Sequence, residues 1–155
     1  MINLLCKEIN EKNAFQQFLS IRKIDFESSH IENRKPPEPD LFFTHATEGP
    51  IAFELVSLTD GKIAQIQASL TPSMKGFYTE DPSITIVQKK LCKEYTTECN
   101  HIELLIYSNG QIVTPDDVII ANITPLLFEF KHQFKFVWFM GEVSTVCLYP
   151  EIINI

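Results

Sequence analysis

The alternation of apolar and polar residues predicts that the chain begins with a helix and continues with three strands. Residues 4–22 carry apolar side chains at helical spacing. Residues 23–28 alternate between apolar and charged positions, as a strand with one buried face does. Residues 41–44 and 51–58 are apolar, aromatic or β-branched runs, and Thr-Glu-Gly-Pro between them is typical of a turn. We therefore predict a helix, a first strand and then a β-hairpin.

A further long helix is predicted to begin at Asp81, because Asp81 suits an N-cap and Pro82 suits the first turn. A shorter helix is predicted before it, at residues 62–70. The buried stripe of the long helix is expected to consist of Ile84, Val87, Leu91 and Tyr95. The basic side chains expected to face away from that stripe are Lys89, Lys90 and Lys93.

The last third of the chain predicts two more changes between strand and helix. Residues 101–107 form a predicted strand, and Thr114 is expected to cap a helix that Pro125 should kink or end. The continuous apolar run at 134–140 is typical of a strand buried on both faces, and residues 144–149 form a predicted last strand. The pattern of the whole chain therefore predicts an α/β fold.

Composition limits the class of protein. The chain has 155 residues, of which 45% are hydrophobic and 21% charged, as expected for a single domain over residues 1–155 with its own core. No apolar run approaches the roughly 18 residues of a membrane helix, and the first residues do not resemble a signal peptide. We therefore expect a cytoplasmic protein without a membrane partner. The four cysteines lack metal-binding spacing and are expected to be free and mostly buried.

The net charge of -7 weighs against a protein that binds nucleic acid through charge alone, although it allows an enzyme with a local basic rim. The aromatic side chains of residues 134–139 are expected in the core, since they recur at strand spacing.

The predicted hairpin places two carboxylates side by side. If its turn is centred near Thr47, Asp40 pairs with Glu54. Glu54 interrupts a run of buried positions, where an unpaired carboxylate is costly, and two facing carboxylates repel each other. A divalent cation between them would relieve both problems. The sequence therefore predicts a divalent-metal site, and our hypothesis is that it lies in a nuclease-like domain.

This pattern resembles the PD-(D/E)XK nuclease superfamily, which has the restriction-endonuclease-like fold. The resemblance rests on Pro39-Asp40, a turn, Glu54 within a hydrophobic strand, a helix upstream and a crossover helix and strand downstream, and it covers about residues 4–107. It implies an αβββαβ core in which helices flank a central mixed sheet, extended here by a C-terminal helix and two strands. It also implies a metal-dependent phosphodiesterase that acts on DNA or RNA with Mg²⁺ or Mn²⁺ as its cofactor.

The resemblance assigns roles to four acids. Asp40 and Glu54 match the residues that hold the metal ion in the superfamily. Glu8 or Glu11 would supply the additional acid that many members contribute from their first helix. The alternative for these two glutamates is a solvated helix edge.

One position departs from the superfamily motif. The lysine that follows the glutamate by two residues is replaced here by Val56. Lys62 is the best candidate for a basic group that has moved, although it would equally suit an exposed position at a helix start. Arg34 and Lys35 would contact substrate phosphates beside the carboxylates, or would lie in a solvated loop.

Three hypotheses on function remain open at this point. The chain is a nuclease, or, because of Val56, a catalytically degenerate nuclease-fold protein with a binding or regulatory role. Alternatively, Glu54 is a core acid paired with Arg34, Lys35 or Lys62. The fold resemblance also suggests a homodimer, for which the apolar strands within residues 134–149 are the expected contact.

Overall fold

The computed structural model describes residues 2–58, 82–108 and 114–155, which form a mixed α/β fold around one sheet. The helices in these ranges are α1 (Ile2–Ile21), α2 (Pro82–Cys92) and α3 (Asp116–Glu129), and Ser28–His30 form a short 3-10 turn. The strands are β1 (Ile31–Asn33), β2 (Leu41–His45), β3 (Gly49–Leu58), β4 (Ile102–Ser108), β5 (Phe134–Met140), β6 (Thr145–Tyr149) and β7 (Ile153–Asn154). The α/β class predicted from the sequence is confirmed.

The seven strands lie in the sheet in the same order as in the chain. β1, β2 and β3 are antiparallel neighbours. β3, β4 and β5 are parallel, and β5, β6 and β7 are again antiparallel. Most residues of the three parallel strands are buried, because helices cover both faces of the sheet.

Each face of the sheet has its own hydrophobic cluster, because successive side chains of a strand point to opposite faces. On one face, Phe15 and Phe18 of α1 pack with Phe53 of β3. On the other face, the apolar side chains of α2 and α3 pack with Ala52, Val56 and their neighbours in β4 and β5. Glu54 has the same parity along β3 as Val56 and therefore faces α2.

The hairpin register predicted from the position of the turn is confirmed. Leu41 pairs with Phe53 and His45 pairs with Gly49, so the turn is centred on Thr47. Gly49 has a φ of 77°, a conformation that suits glycine at the end of a tight turn. This register places Asp40 beside Glu54.

The predicted strand at residues 23–28 is wrong. Lys23 takes a φ of 58°, and the backbone N–H groups of Lys23 and Ile24 donate to the carbonyls of the last turn of α1. These bonds end the helix with a left-handed residue, as helix C-termini commonly do. The residues that follow therefore form a loop, and the first strand begins at Ile31.

The expected N-cap of α3 is wrong, and the helix does not end at Pro125. Pro115, rather than Thr114, occupies the N-cap, and no side-chain hydrogen bond caps the helix there. The helix continues past Pro125 to Glu129, since Leu126 and Leu127 beyond the proline are buried in the core. Packing of that apolar stripe outweighs the backbone hydrogen bond that a proline removes.

Residues 134–149 were expected to form a homodimer contact through an unpaired strand edge. Their strands already have neighbours in the sheet, because β5 pairs with β4 and β6, and β6 pairs with β7.

All four cysteines are free, but the expectation that most are buried is wrong: Cys6 and Cys92 are exposed, Cys99 is half-buried and Cys147 is buried. Within the described ranges, no helix combines the length and the apolar character that a membrane span requires. The helix predicted at 62–70 lies outside the described residues.

Candidate functional site

Asp40 and Glu54 cross-link the start of β2 to the middle of β3. The backbone N–H of Asp40 donates to Oε1 of Glu54 over 3.1 Å. In return, the backbone N–H of Leu55 donates to Oδ2 of Asp40 over 2.9 Å. The juxtaposition of the two acids expected from the hairpin register is therefore present, and each carboxylate accepts a bond from the backbone of the opposite segment.

Lys90 of α2 and Tyr95 bind the other oxygen of Glu54. Lys90 Nζ lies 2.7 Å from Glu54 Oε2, and the Tyr95 hydroxyl donates to the same oxygen over 3.0 Å. Glu54 is only 2% exposed. Burial raises the pKa of Glu54, the charge of Asp40 raises it further, and the ammonium group of Lys90 opposes both effects.

The prediction that Lys90 faces away from the core is thus wrong. Lys90 follows Val87 by three residues and precedes Leu91, which places it at the edge of the buried stripe. Its long apolar stem allows the ammonium group to reach a partner behind that edge. The signal that could have revealed this contact is the position of Lys90 beside the stripe, opposite a carboxylate that lacked a partner. Lys89 and Lys93 are exposed, as expected.

Glu11 of α1 is the third acid at this place. Its side chain is buried, and burial raises its pKa to about 8, with the charge of Asp40 and a hydrogen bond between the Glu11 and Asp40 carboxyl groups as the next causes. Lys7, whose Nζ lies 3.9 Å from Glu11 Oε1, opposes the shift. Glu11 Oε2 is buried, and no donor in the part of the chain that the structure describes bonds to it. Protonation of Glu11 therefore explains how the Glu11 and Asp40 carboxyl groups can lie side by side.

Glu8 and Glu11 differ in their surroundings. Glu8 is half-buried, and its carboxylate forms no hydrogen bond or ion pair within the described residues; only its backbone carbonyl accepts a bond, from Asn33 Nδ2 over 3.3 Å. The solvated-edge alternative thus fits the Glu8 side chain, while Glu11 meets Asp40.

The basic residues expected beside the acids have other partners. Arg34 forms ion pairs with Glu38 over 3.2 Å and with Glu32 over 3.3 Å. Its guanidinium group also lies 4.5 Å from the centre of the Phe42 ring. Lys35 is exposed in the same loop. Pairing of Glu54 with Arg34 or Lys35 is therefore wrong, because Lys90 takes that place.

The position of the missing motif lysine is apolar. Val56 is 2% exposed and belongs to the hydrophobic cluster that also contains Tyr95 and Leu91. It shares a face of β3 with Glu54, as side chains two apart on a strand do. Lys62, the candidate for the displaced basic group, lies outside the described residues.

The donor atoms of the acid cluster suit a hard divalent cation, which prefers carboxylate oxygens. Among the described residues, no hydrogen-bond donor reaches Glu11 Oε2. Both oxygens of Glu54 already accept hydrogen bonds, and within the described ranges no three His, Cys, Asp or Glu side chains are placed so that they hold a metal ion as they stand. The three acids offer the oxygen ligands that a hard divalent cation prefers. Glu11 would have to lose its proton to bind such a cation.

In comparisons with known proteins, no family model, no curated protein and no solved structure matched this chain significantly.

Proposed function

We propose that this chain is a metal-dependent phosphodiesterase of the PD-(D/E)XK type that acts on DNA or RNA. The observation that carries the proposal is the meeting of Glu11 from α1, Asp40 from the start of β2 and Glu54 from β3. Three buried or half-buried carboxylates at one place repel one another, and that repulsion disfavours the folded protein. Such an arrangement is typical of sites that bind a cation or move protons.

The order of elements supports the same proposal. The described chain runs α1, β1, β2, β3, α2 and β4, and the sheet is mixed with helices on both faces. This is the αβββαβ order that the resemblance implies. The parallel pairing of β3 with β4 is what a crossover between them requires.

Each residue of the acid cluster has a role in the proposal. Glu11, Asp40 and Glu54 would hold Mg²⁺ or Mn²⁺, which, when bound, would polarise a phosphoryl oxygen and make a water molecule more acidic. Lys90 would supply the positive charge that the motif lysine gives in the superfamily, because its ammonium group lies at Glu54 although the motif position is Val56. Tyr95 keeps its proton at neutral pH, since burial and then the charge of Glu54 raise its pKa, and it acts as a hydrogen-bond donor that orients Glu54.

The metal site is tested by calorimetric titration of the chelator-treated protein with Mn²⁺ and Mg²⁺. We expect saturable binding to the wild type and at least about tenfold weaker binding to Asp40→Asn and Glu11→Gln, since each loses one charged ligand. Asp117→Asn is the matched control, because Asp117 is exposed on α3, away from the hairpin. Circular dichroism would establish that all variants are folded. Absence of binding by the wild type would contradict the metal site.

Hydrolysis is tested with end-labelled single- and double-stranded DNA and RNA in the presence of Mn²⁺. Lys90→Met should lower kcat by at least about a hundredfold if its charge stabilises the transition state, and Lys90→Arg should retain part of the activity. Lys89→Met should leave the rate unchanged, because Lys89 is the exposed neighbour on the same helix. Equal rates for the Lys89 and Lys90 variants would remove Lys90 from the proposed reaction.

A second candidate is a catalytically degenerate member of the same fold with a binding or regulatory role. The observation that favours it is that Glu54 already has a full set of protein partners: the Asp40 N–H, Lys90 and Tyr95. In that case Asp40→Ala should leave folding and partner binding intact, and the wild type should bind no divalent cation. The same calorimetric titration therefore separates the two candidates.

A further inference from the structure

A cavity lies on the α1 face of the sheet, near the turn of the hairpin and away from Asp40. Its volume is about 160 Å³. Its lining combines aromatic with polar side chains, namely Phe43, Phe53, Phe136, Trp138, Arg22, His45, Glu48 and Glu103. Glu48 is exposed, and its Oε2 lies 3.8 Å from His45 Nε2, so Arg22 and Glu103 are the charged groups that carry the argument. None of these residues belongs to the acid cluster described above, and the inference does not depend on the proposed nuclease activity.

Glu103 of β4 provides hydrogen-bond acceptors to this cavity. It is only 4% exposed, and two donors hold its carboxylate in place: Trp138 Nε1 lies 2.7 Å from Oε1, and His101 Nε2 lies 2.8 Å from Oε2. A carboxylate offers about four lone-pair positions, so each oxygen can accept one more bond. Glu103 is therefore oriented by the protein and still able to accept a hydrogen bond from a ligand.

Arg22 provides hydrogen-bond donors to the same cavity. Its guanidinium carbon lies 4.0 Å from the centre of the Trp138 ring and 5.4 Å from that of Phe18. Among the described residues, no carboxylate or carbonyl forms an ion pair or hydrogen bond with this guanidinium group. Stacking on Trp138 restrains the plane of the guanidinium group, which carries its N–H donors in a rigid fork. Burial lowers the pKa of Arg22, and the charge of Glu103 opposes that effect, so the two groups act on each other across the cavity.

These two groups present one acceptor and a pair of donors. A planar ring that offers one donor next to two acceptors complements them, and cytosine has that order along one edge: an exocyclic amine, a ring nitrogen and a carbonyl. Carboxylates accept from the cytosine amine in nucleic-acid recognition, and arginine donates in pairs to adjacent base acceptors. Aromatic walls suit such a ring, because bases stack on aromatic side chains.

The volume of the cavity suits one ring. A protein cavity of about 150 Å³ binds benzene, so a cavity of about 160 Å³ accepts a six-membered ring. We propose that the cavity between α1 and the sheet binds a cytosine ring, whose amine donates to Glu103 and whose ring nitrogen and carbonyl accept from Arg22. Uracil fits poorly, since it would place a carbonyl oxygen against the Glu103 carboxylate.

The experiment uses the single tryptophan of the chain. The indole N–H of Trp138 donates to Glu103 in the cavity wall, so one resolved signal in the ¹H–¹⁵N spectrum of the labelled protein monitors the site. Titration with cytidine should move that signal saturably. Uridine should bind at least about tenfold more weakly, because one good base contact is worth a factor of that size.

Paired arginine variants test the contact itself. Arg22→Lys should weaken cytidine binding by about tenfold or more, because lysine lacks the paired donors of the guanidinium fork. Arg34→Lys is the matched control and should change binding less than about twofold, since Arg34 pairs with Glu32 and Glu38 in a different loop. Thermal melting would establish that both variants are folded.

A third titration, with a short oligodeoxycytidine, distinguishes a cytosine within a nucleic acid from a free nucleoside. Tighter binding of the oligomer than of cytidine assigns the site to a base within a nucleic acid, and equal binding assigns it to a free nucleoside. The proposal is overturned if cytidine causes no saturable shift, if uridine binds equally well, or if Arg22→Lys binds cytidine like the wild type.

Discussion

Two buried carboxylate sites in this protein differ in what compensates their charge. Asp116, at the start of α3, accepts backbone N–H bonds from Glu142 over 3.2 Å, from Val143 over 2.9 Å and from Ser144 over 3.0 Å. Glu11 lies against Asp40, and its Oε2 has no hydrogen-bond donor among residues 2–58, 82–108 and 114–155. Both side chains are less than a tenth exposed. Burial of an acid therefore does not by itself indicate a functional site, whereas burial without matching donors does.

The Asp116 site has a structural role. Its carboxylate ties the turn between β5 and β6 to the first turn of α3, since the three donors lie on consecutive residues of that turn. Gly141 immediately precedes them, and a Cβ atom there would collide with the Asp116 carboxylate. The close approach of backbone to carboxylate explains why this position is glycine.

The largest effect is expected from removing the carboxylate of Asp116. Asp116→Ala should lower the free energy of unfolding by about 3 kcal/mol, because three N–H groups lose their acceptor. Asp117→Ala is the matched control, since Asp117 is exposed and its carboxylate accepts only from the neighbouring Val118 N–H. Urea denaturation of the two variants measures the difference. Equal losses would contradict the structural role given to Asp116.

The next effect is a dependence of stability on pH that arises at Glu11. Its pKa is raised from 4.5 to about 8 in the folded protein, so its contribution to stability is complete below pH 4.5 and is lost as the pH rises through 8. Between pH 5 and 8 we expect a fall on the order of 3 kcal/mol in the free energy of unfolding.

Glu11→Gln should flatten this pH dependence, because the amide does not ionise. Glu8→Gln should retain it, since the Glu8 side chain does not meet the other acids within the described ranges. Urea denaturation at a series of pH values provides the measurement. A wild-type curve that stays flat from pH 5 to 8 would show that Glu11 ionises without penalty and would remove the contrast with Asp116.

The smallest effect on stability is expected from removing the ammonium group of Lys90, which compensates the charge of Glu54. Lys90→Met should cost about 1 kcal/mol at neutral pH, because Lys90 is partly exposed and Glu54 can take up a proton once its partner is gone. The loss should grow as the pH rises and Glu54 is forced to ionise. Lys89→Met, on the exposed side of α2, should change stability by less than about 0.5 kcal/mol. A loss for Lys90→Met that stays constant from pH 5 to 9 would argue against its pairing with an ionised Glu54.

The hairpin could be predicted from the sequence in detail, because its turn chemistry and its two apolar runs are local. Once the turn is centred on Thr47, the pairing of Asp40 with Glu54 follows from counting residues. The contact of Glu54 with Lys90 joins residues 36 positions apart in the chain and depends on how α2 packs on β3. No local pattern specifies that packing, so the sequence predicts a metal ion at Glu54 or, in the alternative hypothesis, Arg34, Lys35 or Lys62 as its partner, and does not predict Lys90.

The amphipathic pattern of α1 also predicts burial correctly for only part of the helix. Leu5 and Ile9 extend the apolar spacing of Phe15 and Phe18 along the sequence. Nevertheless, Leu5 is 59% exposed and Ile9 is 50% exposed. Glu11, in contrast, is buried because Phe15 and Phe18 of the same helix pack into the core and hold α1 against the sheet. The hydrophobic pattern of α1 assigns Glu11 to the surface, and only the resemblance to the nuclease superfamily pointed to it from the sequence.

The agreement between strand order in the sheet and strand order in the chain has a consequence for synthesis on the ribosome. Every strand after β1 finds its first neighbour already made, so the sheet can grow at one edge as the chain emerges. Glu11, Asp40, Glu54, Lys90 and Tyr95 are all translated before β4 begins at Ile102. The complete acidic site thus leaves the exit tunnel before the strand that will cover the open edge of β3. A nascent chain halted at that stage carries every group needed to neutralise Glu54 and must hold an unpaired strand edge until β4 arrives.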